Sequence, residues 1–76
     1  MSTAILKEYA AQVEEQTGIP SALLTGDRRF KDVVRARRML WKMLRERGWS
    51  NRQIAMRCHR DPTVIGYGIR RLEAGE

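Results

Sequence analysis

Arginine dominates the residues of this chain that could do chemistry. Twelve of its 76 residues are Arg and three are Lys, against nine Asp and Glu. Residues 1–27 carry one Lys against four carboxylates, whereas residues 28–72 carry fourteen cations against three carboxylates. A planar guanidinium binds phosphate oxygens and base edges through paired hydrogen bonds. The pattern indicates one surface that binds a polyanion, and the alternative interpretation is a merely basic, solvated surface.

Cys58 and His59 are the residues that would suggest catalysis or metal binding. One Cys beside one His does not supply the four ligands of a structural zinc site. A nucleophilic pair needs two side chains that face each other across a cleft, which neighbours at a helix end do not provide. We therefore expect no metal, no cofactor, no small-molecule substrate and no enzymatic activity. A single Cys cannot form an intrachain disulfide, which suits a cytoplasmic protein.

Length and hydropathy limit the architecture that can position these residues. A chain of 76 residues supports one small domain, residues 1–76. No run approaches 18 apolar residues and the start of the chain does not read as a signal peptide, so no membrane association is expected. Apolar residues recur at helical spacing, with little strand-like alternation. We expect an all-α fold, a compact bundle of four to five short helices.

Local signals predict where the helices of the first half begin and end. A first helix is expected over about residues 4–17, with Ser2 or Thr3 as N-cap and Gly18 after its end. Ser21 is expected to cap a single short turn through Leu23 and Leu24, and a basic loop follows at 26–31.

A long helix is expected over about residues 30–47, ended by Gly48. Arg37 lies between Val33 and Leu40 on the helical wheel, and it is interpreted as either a structural ion-pair partner or a DNA ligand. Trp41 is expected in the core. The predicted buried stripe is Val33, Ala36, Leu40, Met43 and Leu44. Four cations share another face, where they repel one another unless phosphates lie nearby: Arg35, Arg38, Lys42 and Arg45.

The start of the next helix is specified most clearly. Ser50 and Gln53 form a capping box, and Trp49 and Ile54 form the matching hydrophobic staple, so a helix is predicted over residues 51–58.

The last helix follows a three-residue turn, 59–61. Asp61 is a good N-cap and Pro62 suits the first helical position, so the helix is predicted from there to about residue 74. Its predicted buried residues are Ile65, Ile69 and Leu72.

Two helices joined by so short a turn are typical of a helix-turn-helix, in which the start of the second helix reaches base edges in the major groove. Here Asp61, Thr63 and Tyr67 are the candidate base-reading residues. Arg60 flanks them and is a further candidate for base contact. Arg70 and Arg71 flank the same positions and are expected to reach phosphates.

At these residues the chain resembles the C-terminal DNA-binding domain of the bacterial replication initiator DnaA. The resemblance covers most of the chain and rests on the order and spacing of five stretches. They are IPSALL at 19–24, RRFK at 28–31, VVRARRM at 33–39, RDPTVI at 60–65 and RRLE at 70–73.

The resemblance implies roles for particular residues. Arg29 stands where the family inserts an Arg into the minor groove. Asp61 matches an Asp that accepts a hydrogen bond from a cytosine amino group, and Thr63 matches a Thr at base edges, both compatible with base readout. Positions of phosphate contact match Lys31, Arg38, Arg52 and Arg71, and we add Arg28, Arg35, Asn51 and Arg70 as expected phosphate-binding residues.

The chain departs from the family at several positions. Pro62 replaces a base-reading His and offers no donor, so that contact is expected to be lost. The turn is one residue shorter and has His59 in place of Gly. Gly66 and Gly68 replace larger residues in the last helix, where each costs about 1 kcal/mol relative to Ala, and they permit close approach of either DNA or a neighbouring helix. No nucleotide-binding loop is present.

These observations predict a double-stranded DNA-binding protein that regulates replication or transcription. The alternative from another class is a protein-interaction module with the same fold, which self-associates or docks on the replication or packaging machinery through its acidic first helix or its Trp-bearing surface.

Overall fold

The computed structural model of the protein describes residues 3–26 and 28–75, apart from the side chain of Thr3. No strand lies within these ranges, so the predicted all-α class is confirmed. The predicted cap of the first helix, Ser2 or the side chain of Thr3, lies outside the described residues. The helices are α1 (Thr3–Thr17), α2 (Ser21–Leu24), α3 (Lys31–Arg47), α4 (Asn51–Cys58) and α5 (Pro62–Glu73).

The helix ends follow the local signals. Gly48 ends α3 with φ of 114°, and its N–H donates to the Arg45 carbonyl at 3.0 Å. Such a left-handed glycine satisfies carbonyls that the helix leaves without donors. The capping box of α4 is confirmed, since Gln53 N–H donates to Ser50 Oγ at 3.1 Å and Ser50 N–H donates to Gln53 Oε1 at 2.8 Å. Two predictions differ from the structure. Phe30 is extended, so α3 begins at Lys31. Ser21 is the first residue of α2 and not its cap, because Pro20 occupies the cap position and no side chain caps the helix.

Helix α3 is the central element, since it packs against each of the other four helices. The predicted stripe is largely confirmed, and Trp41 and Trp49 belong to the core as expected. Two predictions of burial were wrong, because Met43 and Leu72 are only half-buried at the edges of the bundle. Fully buried large side chains mark the core: Val13, Leu24, Leu40, Leu44, Ile54, Cys58 and Ile65.

Helices α3 and α5 approach each other closely at Gly68. A Cβ built on Gly68 would lie 2.6 Å from Cζ3 of Trp41 and 3.1 Å from Cγ of Arg38. Hydrogen therefore occupies the only space that the indole leaves to this position. A Cβ on Gly66 would meet the amide nitrogen of Asn51, the first residue of α4, at 3.0 Å. The sequence suggested that these glycines permit close approach of either DNA or a neighbouring helix, and the structure shows close approach of neighbouring helices at both.

The described helices include none that is both long enough and apolar enough to cross a membrane.

Gly68→Ala is expected to lower the free energy of unfolding by about 1–3 kcal/mol, because the added methyl overpacks the core against Trp41. Gly66→Ala is the matched control in the same helix. Its methyl meets only side-chain ends, the amide nitrogen of Asn51 at 3.0 Å and Nη1 of Arg70 at 3.5 Å, and the intrinsic gain in helix propensity is about 1 kcal/mol. Urea denaturation followed by circular dichroism measures both values, and an equal effect of the two substitutions would contradict this account.

Candidate nucleic-acid interface

The connection between α4 and α5 holds the two helices at a fixed angle. His59 ends α4 with φ of 55°, a left-handed conformation that turns the chain sharply. Arg60 N–H donates to the Ala55 carbonyl at 2.9 Å. Asp61 Oδ1 then accepts from Thr63 N–H at 2.8 Å, so Asp61 is the N-cap of α5 as predicted. The first turn of α5 consequently projects from the core with Asp61 and Thr63 exposed.

A shallow groove separates α3 from the exposed face of α5, and we call it the α3–α5 groove. No carboxylate occurs among the described residues that line it. Five cations clustered in a concave surface whose described lining includes no carboxylate produce a positive potential there. Its lining residues are Arg29, Lys31, Val34, Arg35, Arg38, Arg71 and Gly75.

A second hollow continues the groove toward the start of α5. Arg29, Val34 and Arg38 line both hollows, so the two form one surface. The second hollow adds Asp61 and Tyr67, together with the connection between α4 and α5. The cations of α3 and the candidate base-reading turn of α5 are therefore contiguous.

The structure brings most of the predicted site residues to this surface. In or beside the two hollows lie Arg29, Lys31, Arg35, Arg38, Arg60, Asp61, Tyr67 and Arg71. Outside them, but exposed, lie Arg28, Arg52, Thr63 and Arg70.

Two of the residues expected to contact phosphates interact with other side chains of the protein. The guanidinium of Arg28 lies over the Phe30 ring, with 6.0 Å between Cζ and the ring centroid. Asn51 is half-buried, and its amide oxygen accepts a hydrogen bond from Arg45. Asn51 thus ties the start of α4 to α3.

Arg37 has a structural role that the helical wheel left undecided. The side chain is buried, with 4% of its surface exposed. Its Nε donates to the carbonyl of Leu24, and its Nη2 donates to the carbonyls of Leu23 and Arg28, each at 3.0 Å. Arg37 therefore fixes the chain between α2 and α3, from which Arg28 and Arg29 project. Its place inside the apolar stripe of α3 was the signal for burial.

Arg60 binds the same loop. Its Nη2 donates to the carbonyl of Gly26, and the residue is half-buried. The side chain expected to read a base therefore connects the turn before α5 to the loop before α3. Nothing in the sequence pairs Gly26 with Arg60, which are 34 positions apart.

Cys58 lies beneath this connection. Burial raises the pKa of its thiol, and the Trp41 indole and the cationic Arg60 and Arg37 offset the rise in part. The thiol is therefore protonated at neutral pH and packs as a small apolar group. The part of the chain that the structure describes holds no group of three His, Cys, Asp or Glu side chains arranged for a metal.

Comparison of the chain with models of protein families, with curated proteins and with solved structures gave no match. A functional proposal for this chain is therefore argued from the exposure, charge and arrangement of the residues described above.

Arg37→Met is expected to lower the free energy of unfolding by about 3 kcal/mol, because carbonyls of the loop lose their charged donor. Arg35→Met makes the same chemical change two residues earlier on an exposed position, and a change within about 0.5 kcal/mol is expected. Urea titration of both variants provides the comparison. Similar destabilisation by the two substitutions would show that Arg37 does not hold the loop.

Proposed function

We propose that the protein binds double-stranded DNA, with α4 and α5 as a helix-turn-helix and α5 in the major groove. The observation that carries the proposal is the α3–α5 groove, where five cations from the loop, α3 and α5 adjoin the exposed first turn of α5. A duplex presents phosphates on both sides of its major groove, so a recognition helix flanked by cations suits it. In line with the resemblance to the DnaA domain, the proposed role is control of replication or transcription.

Phosphate contacts are assigned to the cations of the α3–α5 groove. Arg35 and Arg38 on α3 and Arg71 on α5 approach the groove from its two walls. Their number and mutual repulsion favour binding of a backbone that carries regularly spaced negative charge. The exposed residues outside the groove extend the contact on its flanks: Arg28, Arg52 and Arg70.

Base contacts are assigned to the first turn of α5. A carboxylate has two oxygens, and the N-cap of α5 uses Oδ1 of Asp61, which leaves the other oxygen for a cytosine amino group. Thr63 is exposed beside it. Pro62 contributes no donor, and Arg60 is assigned to the loop rather than to a base because its guanidinium binds Gly26. Arg29 is exposed on that loop, which supports the minor-groove role implied by the resemblance.

Fluorescence anisotropy with a labelled duplex at several salt concentrations tests the proposal. With about six phosphates contacted, the logarithm of the association constant should fall against the logarithm of salt concentration with a slope of about −5. A slope near zero, or no binding at low salt, would refute DNA binding. A stable multimer that ignores DNA in light scattering would instead favour the protein-interaction module.

Arg35→Ala and Arg47→Ala form a matched pair for this titration. Both remove one cation from α3, but Arg47 lies at its far end in a hollow with Glu8 and Tyr9 of α1. Arg35→Ala is expected to make the slope shallower by about 1, and Arg47→Ala to leave it unchanged. Equal effects would mean that net charge, rather than the α3–α5 groove, determines binding.

Asp61 is expected to act on sequence discrimination rather than on affinity in general. Asp61→Ala should reduce the preference for the correct base at one base pair by about 1–3 kcal/mol. It should also remove the N-cap of α5 and lower the free energy of unfolding by about 1 kcal/mol. Asp61→Ser keeps a capping oxygen and is expected to lose only the discrimination. The measurement is the affinity of each variant for duplexes that are selected from a random pool and then altered at one base pair at a time. Unchanged discrimination in both variants would exclude base reading by Asp61.

A further inference from the structure

Two cations from different helices lie over the ring of Tyr67. The Cζ of Arg38, on α3, is 5.9 Å from the centroid of the Tyr67 ring, and the Cζ of Arg71, on α5, is 5.6 Å from it. Both arginines line the α3–α5 groove. We propose that Tyr67 is a positioning residue that holds these two guanidinium groups in place for phosphates, an inference that rests on the proposed DNA binding.

The ring can hold both groups because its π-face carries partial negative charge. A guanidinium within about 6 Å of an aromatic centroid is attracted to it, and both distances fall within that limit. The two cations repel each other, and long side chains lose rotamer freedom when they bind a ligand. Attraction to one ring offsets part of the repulsion and restricts both guanidinium groups before any ligand arrives, so less ordering is needed when phosphates bind.

The surroundings of the ring restrict it to this position. Arg71 follows Tyr67 by four residues and so lies on the same side of α5. The stem of Arg38 is confined by the close approach at Gly68, where a Cβ would lie 3.1 Å from its Cγ. Tyr67 is 48% exposed, so its ring lies at the surface, within about 6 Å of cations from both helices. The same ring thereby connects the cations of α3 to those of α5.

The sequence-based expectation gave Tyr67 a direct contact with DNA, and the two roles predict different behaviour. A direct contact made by the phenolic hydroxyl is lost in Tyr67→Phe. A positioning role requires the ring and not the hydroxyl, so Tyr67→Phe preserves it and Tyr67→Leu removes it.

Anisotropy titrations of wild type, Tyr67→Phe and Tyr67→Leu across salt concentrations test the proposal. Tyr67→Leu is expected to weaken DNA binding by about 5–10-fold and to make the salt slope shallower by about 1, because one phosphate contact is lost although every charge remains. Tyr67→Phe is expected to bind within about 2-fold of wild type with an unchanged slope. Loss of affinity in both variants, or in neither, would overturn the positioning role.

NMR of the free protein separates this proposal from the proposed function. Ring currents should shift the δ-methylene protons of Arg38 and Arg71 upfield in wild type and Tyr67→Phe, and not in Tyr67→Leu. Urea titrations confirm that all three variants are folded. Wild type that shows the shifts but fails to bind DNA at low salt would refute the proposed function, whereas wild type that binds DNA without the shifts would refute only the role of Tyr67.

Discussion

The close approach of α5 to Trp41 is the constraint on which the candidate interface depends. With hydrogen as the side chain of Gly68, α5 lies directly against the indole and against the stem of Arg38. A larger residue there would have to displace α5 or the indole, because its Cβ would lie 2.6 Å from Cζ3 of Trp41. Gly68 and Trp41 also line the second hollow, so this contact determines how closely α3 and α5 approach each other at the surface that carries the cations.

Arginine has three different roles in this small protein, and its surroundings determine which one. Arg37 is surrounded by backbone carbonyls in the core, and its fork of donors satisfies three of them. Arg60 connects the turn before α5 to Gly26. Arg38 and Arg71 are turned toward the ring of Tyr67 at the surface. The first two roles fix the chain between α2 and α3, from which Arg28 and Arg29 project.

The concentration of like charge on one side of the molecule costs stability, and the rest of the fold offsets that cost. The cations of α3 repel one another at helical spacing. The same helix contacts all four others, so its burial stabilises a charged face that would be unfavourable on an isolated helix. The carboxylates of α1, Glu8, Glu14 and Glu15, are exposed on a different helix and leave the α3–α5 groove without a counter-charge among its described lining residues.

The sequence by itself determined the helices and most of their ends. Three helix ends depend on hydrogen bonds to residues within four positions: the capping box at Ser50, the N-cap at Asp61 and the left-handed Gly48. Because these partners are neighbours in the chain, the local sequence is enough to predict them. The charge pattern likewise predicted which helices carry the cations. Burial of Met43 was predicted wrongly, since helical spacing indicates a face but not where that face reaches the edge of its neighbours.

Only the tertiary structure decided what lies opposite each face. The glycine at position 68 faces the indole of Trp41, and Arg37 meets carbonyls of residues 23, 24 and 28. Arg60 binds a loop 34 positions away. Each of these contacts joins elements that are distant in the chain, and their distance and orientation follow from packing of the whole core rather than from any local pattern.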